Sequence, residues 1–345
     1  MKNLDKVNLE NFLIKDNIKF IRSFELSKKS WIKSGGLIDT FIKPKDINEI
    51  KNILNFFKKN NINYFVIGNL SNTIIRDGLI ITPFINLGLI NKIQKLKNKN
   101  GLHILVGAGV SIPVFSKFIM NQSYSGTEGL FGIPGSVGGG IYMNSSSFGD
   151  SLTKNIHKII CIDNNQNLKI IKKKDINFNW RFSDFQKNGY LIVGAYFFFS
   201  QNDLRPKKII DDKFYRLLNL RRKFQEKDLP NLGSLFATKN LYSDLKFVSL
   251  SFFFLFIFNK FLNVIFFRKF LKKYLPTIRN FISKLYIKNL GLDKYKEFSL
   301  SNKTINCLVN KGAIESFDGI NLIKDFQKKT KYKVKLENII LDKII

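Results

Sequence analysis

The chain has 345 residues, with 57 Lys and Arg against 26 Asp and Glu and a formal net charge of +31. That length holds two or three small domains with cores of their own, and an apolar fraction of 44% is that of an ordinary folded protein. Its two cysteines, Cys161 and Cys307, sit in apolar runs and read as buried thiols, which excludes a disulfide framework and a thiolate zinc site. The charge comes without an arginine-rich stripe or a nucleic-acid motif. Nucleic acid is therefore not expected as a partner, and the basic surface suits an anionic small molecule or an anionic membrane surface.

In chain order, the first residues, MKNLDKVNLENF, are polar and lack the apolar core of an export signal, so a cytoplasmic protein is expected. Residues 17–86 read as a small α/β unit. Ile47, Ile50, Ile53, Leu54 and Phe57 recur at helical spacing over 45–61, and Asn63 to Ile67 reads as a buried strand. The turn Gly68-Asn69-Leu70-Ser71-Asn72 follows, where Ser71 and Asn72 can offer hydroxyl and amide groups to phosphate oxygens. Residues 87–200 are richer in strands: 103–106, ending in a turn with Gly107 and Gly109, then 158–162, 168–171 and 191–199, with one helix over 112–121. Beyond residue 201, a basic helix is predicted over 213–224 and an amphipathic one over 314–330.

The densest signal is Ser125 to Gly149, SGTEGLFGIPGSVGGGIYMNSSSFG. Gly132-Ile133-Pro134-Gly135-Ser136 leads through Val137 to Gly138-Gly139-Gly140. The spacing fits neither the dinucleotide fingerprint G-x-G-x-x-G nor the P-loop. Such a backbone can approach a ligand closely, and successive bare N–H groups are expected to form a concave anion site suited to a pyrophosphate.

The three glycine segments together resemble the flavin domain of the UDP-N-acetylenolpyruvoylglucosamine reductase (UDP-N-acetylmuramate dehydrogenase) family. Its signatures G-x-G-S-N, V-G-A-G-V and G-x-E-x-L-x-G-I-P-G-x-V-G-G match Gly68 with Ser71 and Asn72, Val106 to Val110, and Gly126, Glu128, Leu130 with Gly132 to Gly139. The resemblance continues to Asn144 and Gly149. It implies an α+β fold. A two-part FAD-binding lobe of the vanillyl-alcohol-oxidase/PCMH type would span 17–86 and 87–200, and a C-terminal α+β substrate lobe 201–345, with a Phe-rich insertion at about 240–278. FAD, noncovalent because neither His103 nor His157 lies in the glycine motifs, is implied at Gly68 to Asn72, Gly107, Gly109, Gly132 to Ser136, Gly138, Gly139 and Asn144. NADPH is implied as hydride donor and a nucleotide-sugar as substrate.

Phe178 to Phe185 (FNWRFSDF) is similar to the family's F-G-Y-R-x-S-x-F and places Arg181 on its catalytic arginine, a fixed fork of donors for a carboxylate or a developing enolate. Leu229 to Phe236 resembles its G-S-x-F segment, which makes Ser234 the proton donor. Departures from the pattern fall on the substrate side. Leu70 replaces a glycine, and Ser145 to Ser147 replace small residues. Ala237-Thr238-Lys239 stands for Lys-Asn-Pro, where Lys239 is the candidate for the diphosphate contact, and Lys296 to Ser299 replaces a glycine-rich stretch. In Val334 to Ile340 the family's catalytic carboxylate falls on Ile339. Glu337 matches an earlier glutamate and is expected to reach the site only with the strand shifted. The implied reaction is NADPH-driven reduction of UDP-N-acetylglucosamine enolpyruvate in peptidoglycan precursor synthesis. Two alternatives stand beside it: a relative acting on another sugar in surface polysaccharide synthesis, and a noncatalytic flavin-binding or membrane-associated module.

Phe247 to Phe267, FVSLSFFFLFIFNKFLNVIFF, lies outside the resemblance. Its residues allow a helix packed in the insertion, a helix on a membrane surface with its basic flank on anionic lipid, or a span, though Asn259, Lys260 and Asn263 interrupt it.

Overall fold

The structure is a computed structural model and describes residues 3–97, 100–262 and 275–342. After helix α1 (Asn3–Lys15), strands β1 (Phe20–Glu25) and β2 (Leu37–Ile42) pair antiparallel. Helix α2 (Ile47–Lys59) then crosses to β3 (Phe65–Ile67). Asp46 starts α2 by accepting the Glu49 N–H, and Ile50, Ile53, Leu54 and Phe57 form its buried face. Past β4 (Thr73–Ile75) and β5 (Leu79–Ile80), strand β6 (Phe84–Asn86) lies parallel to both β2 and β3, giving the order β1-β2-β6-β3 with β5 also on β2. The strand expected to be buried is thus the sheet edge. It is shorter than predicted, and Val66 is 41% exposed, because only one neighbour covers it.

A second sheet is antiparallel throughout. It comprises β7 (Ile93–Leu96), β8 (Gly101–Gly107), β9 (Ile156–Ile162), β10 (Leu168–Lys172) and β13 (Leu191–Ser200), in the order β10-β9-β13-β8-β7. In the chain between β10 and β13 lies a small hairpin of β11 (Phe178–Asn179) and β12 (Phe182–Ser183). Helix α3 (Ile112–Asn121) is capped by Ser111, carries proline in its first turn, and buries Ile112, Phe115 and Ile119 on this sheet. Phe115 lies 4.6 Å from the Phe197 ring. Side chains buried this fully contribute roughly 1.5–3 kcal/mol each. Cys161 is one of them, and burial pushes its thiol up to about 11.

Helix α4 (Val137–Tyr142) carries the glycine run. Helix α5 (Lys207–Phe224) packs back over the turn at Glu128–Leu130. The remaining core gathers Leu235, Phe236, Leu245, Phe252, Tyr286, Phe298 and Phe326, and also takes in Ile32 and Ile74 of the first unit. Its elements are α6 (Leu241–Leu245), α7 (Leu250–Leu262), α8 (Leu275–Asn289), the pair β14 (Phe298–Leu300) and β15 (Leu308–Asn310), and α9 (Phe317–Lys329). The last strand, β16 (Ile339–Leu341), returns to pair parallel with β4. Within Phe247 to Phe267, the helix is α7, and residues 263–267 lie outside the described residues.

Candidate active site

The loop between β3 and β4 carries the first candidate residues. Leu70 takes a left-handed backbone, φ 54°, at the position where the resembling motif has glycine. It is anchored there by burial among Leu26, Ile38, Phe41 and Phe84. Asn86 pins the loop's start: its Nδ2 donates to the carbonyls of Ile67 (3.2 Å) and Gly68 (2.8 Å). The main-chain N–H groups of residues 69–72 meet no acceptor among the described residues. With the Ser71 hydroxyl they form the set of donors that a pyrophosphate needs.

The glycine run behaves differently. The Val137 N–H donates to the Val110 carbonyl (2.8 Å) and the Gly138 N–H to that of Ala108 (2.8 Å), while Gly139 and Gly140 donate to the Ser136 hydroxyl and carbonyl. The bare anion site expected there is absent, because these donors close α4 onto the β8 turn. Gly107 and Gly109 are required by the close approach of the 87–90 turn: a Cβ on either would come within 2.1 Å of a main-chain oxygen, of Ile90 or Leu87 respectively. The run still borders the loop, since a Cβ on Gly68 would lie 2.9 Å from the Ser136 hydroxyl. The structure therefore fits a bound pyrophosphate at 68–72, with 135–139 as the wall beside it.

A buried clamp holds that wall. Glu128 accepts from Ser125 Oγ (2.6 Å), the Gly126 N–H (2.8 Å) and Lys213 Nζ (2.8 Å). Lys213 also reaches Asp150 at 3.2 Å, and Asp150 accepts the Gly129 N–H. Burial works against the Glu128 charge, but the bonds from Lys213, Ser125 and Gly126 outweigh it and hold the carboxyl below its ordinary value. Arg221 donates to the Gly132 and Gly129 carbonyls and to Ser147 Oγ. Both cations lie on α5, where the sequence offered only a basic helix.

Arg181 stands at the tip of the β11–β12 hairpin in a left-handed conformation, φ 53°. Asn144 fixes that hairpin: its Nδ2 donates to the Asn179 carbonyl (2.7 Å) and its Oδ1 accepts from Thr153 (2.7 Å). Its amide is thus spent on placing Arg181. Arg181 Nε lies 3.0 Å from Glu337 Oε1, with the N–H not directed at the carboxylate. Burial raises the Glu337 carboxyl to about 7, against the opposing pull of Arg181.

Glu337 lies just before the bend at Asn338, and β16 starts at Ile339, paired with Thr73. Asn338 makes the bend a three-way joint. Its Nδ2 donates to Asn72 Oδ1 (2.6 Å) and to the carbonyls of Ser234 (3.2 Å) and Leu232 (3.3 Å). Asn72 Nδ2 in turn donates to the Glu337 carbonyl (3.1 Å), and the Glu337 N–H to that of Leu235 (2.9 Å). The loop at 68–72, Ser234 and the Arg181–Glu337 pair thus meet in one place. Asn338 Oδ1 is buried and meets no donor among the described residues, so a bound group bearing an N–H or O–H would complete it. Ser234 is exposed; Lys239 is also exposed, in the turn that leads into α6. Asn86 and Asn338 carry no signal in the sequence, since each acts through partners that only the fold brings near.

A family model described as an FAD binding domain matches residues 38–165. UDP-N-acetylenolpyruvoylglucosamine reductase of Clostridium novyi (strain NT) is 30% identical over 234 residues, 68% of this chain and 73% of that protein. The protein of the same name from Listeria innocua serovar 6a is 33% identical over 211 residues, 61% of this chain and 68% of that protein. The fold is also that of the crystal structure of UDP-N-acetylenolpyruvylglucosamine reductase from Thermus caldophilus, with a TM-score of 0.63 at 18% identity over 94% of this chain and 98% of that one. The chain belongs to the UDP-N-acetylenolpyruvoylglucosamine reductase family of FAD-dependent oxidoreductases.

Proposed function

We propose that this chain reduces UDP-N-acetylglucosamine enolpyruvate to UDP-N-acetylmuramate with NADPH, as a cytoplasmic step in peptidoglycan precursor synthesis. The observation that carries this reading is the Arg181–Glu337 pair, 3.0 Å apart and tied through Asn338 to both Ser234 and Asn72. Residues 17–86 and 87–200 form the FAD-binding parts and 201–345 the substrate part. Bound FAD, held without a covalent link, supplies the relay of hydride from nicotinamide to the enolpyruvyl double bond.

The chain's own residues do the rest. The N–H groups of 69–72 and the Ser71 hydroxyl hold the pyrophosphate, and the wall at 135–139 fixes its approach. Arg181 holds the substrate carboxylate and stabilises charge that develops on it. Ser234 Oγ delivers a proton to the carbon next to the one that takes hydride. A carboxyl near 7 at Glu337 exchanges a proton readily at neutral pH and does, from the bend, what Ile339 cannot. Lys239 is the nearest cation in sequence for the diphosphate of the sugar nucleotide.

The test is anaerobic. NADPH reduces the purified flavoprotein, then the enolpyruvyl nucleotide-sugar is added while flavin absorbance is followed. Rapid return of the oxidised spectrum supports the reading. A flavin that stays reduced rejects this substrate and favours another sugar, in line with Thr238, whose hydroxyl bonds to Asp244 beside the position expected to meet the diphosphate. A flavin that NADPH never reduces rejects both.

A further inference from the structure

Helix α7 is mostly apolar, interrupted by Ser251, Asn259 and Lys260, but only one of its apolar faces is packed. Phe252, Leu255 and Phe256 face the core, while Leu250, Phe253, Phe254, Ile257 and Phe258, at spacings of one and two turns, face outward together with Phe247 just before the helix. Phe254 is 66% exposed and Leu250 77%. A run of large apolar side chains this contiguous marks an interaction surface.

Its surroundings are cationic. Lys246 Nζ lies 4.5 Å from the Phe247 ring centroid at one end of the helix, and Lys260 Nζ lies 5.3 Å from that of Phe256 at the other. The packed neighbour α8 exposes Arg279, Lys284 and Lys288. Between residues 241 and 290 the sequence holds a single carboxylate, Asp244, and it is engaged by Thr238.

We propose that this face docks on an anionic lipid surface, with α7 lying in the interface plane. Long cationic side chains beside an apolar helix face reach lipid phosphates while their stems follow the apolar surface. Charge decides against a second copy of the chain as the occupant. A symmetric pair would set the same lysines and Arg279 against themselves, with no carboxylate to neutralise them. α7 has 13 described residues, roughly 20 Å of helix against a hydrocarbon layer of about 30 Å, and no helix among the described residues is long and apolar enough to cross a membrane.

The experiment is cosedimentation of the full flavoprotein with vesicles of phosphatidylcholine alone or mixed with phosphatidylglycerol. Binding is expected only with phosphatidylglycerol, and it should weaken as salt is raised. Replacing Phe254→Ser together with Ile257→Ser should lower the partition coefficient at least tenfold with an unchanged flavin spectrum. Lys284→Glu with Lys288→Glu, which leaves the apolar face intact, should lower binding to the anionic vesicles several-fold. No binding to phosphatidylglycerol vesicles overturns the proposal, as does equal binding to both compositions. It is also overturned by a dimer in sedimentation equilibrium that the Phe254 and Ile257 changes dissociate.

Discussion

Two buried carboxylate–cation clusters in this molecule use the same groups for opposite ends. At Glu128, Lys213 and Asp150, the bonds are directed, and Glu128 also accepts from a hydroxyl and a main-chain N–H; its proton is held off. At Glu337 and Arg181 the pair is close, but the N–H is not aimed at the carboxylate, and burial pushes the carboxyl up to about 7. The comparison teaches that burial and an opposite charge do not by themselves make a structural ion pair. Completed hydrogen bonds fix a charge in place, and incomplete ones leave a proton free to move.

The sharpest way to break the comparison is to remove Lys213. Lys213→Met leaves Glu128 and Asp150 buried without their cation, and unfolding in urea should show a loss of about 3–5 kcal/mol. The FAD-loaded fraction that remains folded should keep its turnover. If stability is unchanged, the cluster is not the clamp that its geometry describes.

Glu337→Gln should do the reverse. Turnover should fall by about 10²- to 10⁴-fold, the usual worth of a positioned acid–base group, with KM little changed. Its stability effect depends on pH. The folded carboxyl is raised from an ordinary 4.5 to about 7, so the stability it contributes is fully present below pH 4.5 and is lost as pH rises through 7. Over that window the difference between Glu337→Gln and the natural chain should move by about 3 kcal/mol in favour of Gln. Glu128 runs the other way: its folded value is lowered, so its contribution is present above 4.5 and is lost as pH falls through the folded value. A Glu337→Gln protein whose stability tracks the natural chain at every pH between 5 and 8 would contradict the raised carboxyl.

Much of this could be read from the residues. Helices α2, α3 and α9 follow from apolar spacing because each buries one stripe on a sheet or a core, and four of the five strands of the second sheet were read from the sequence, while β7 at its edge was not. The site was legible as a set of segments. Arg181, Ser234 and the loop at 68–72 were each singled out, and the fold brings them together. What could not be read was how each glycine is used. Glycine density pointed to the run within 125–149 as the anion site, but the N–H groups of 137–140 are taken by Val110, Ala108 and Ser136, partners that a linear motif does not display. Glu337 was named as a candidate, but its route to the site was illegible for a similar reason: the bend at Asn338 depends on Asn72 and Ser234, both distant in sequence.

Leu70 gives the smallest and most discriminating prediction, because it carries the same contrast between spent and open groups into the backbone. Its left-handed φ costs roughly 1–2 kcal/mol for a residue with a Cβ. Leu70→Gly would remove that cost but would also release a side chain that is only 7% exposed, worth roughly 2–3 kcal/mol, and would add freedom to the unfolded chain. Burial wins, so the substitution should destabilise by about 1–2 kcal/mol even though it restores the glycine of the resembling motif. The loop's open N–H groups are useful only while the loop is held, and Leu70 is the part of it sunk into the core. FAD should therefore dissociate more readily from Leu70→Gly, by several-fold in a flavin-release titration, with the oxidised spectrum of the bound fraction unchanged. A Leu70→Gly protein that is both more stable and tighter for FAD would mean that backbone strain, not the buried anchor, dominates at this turn.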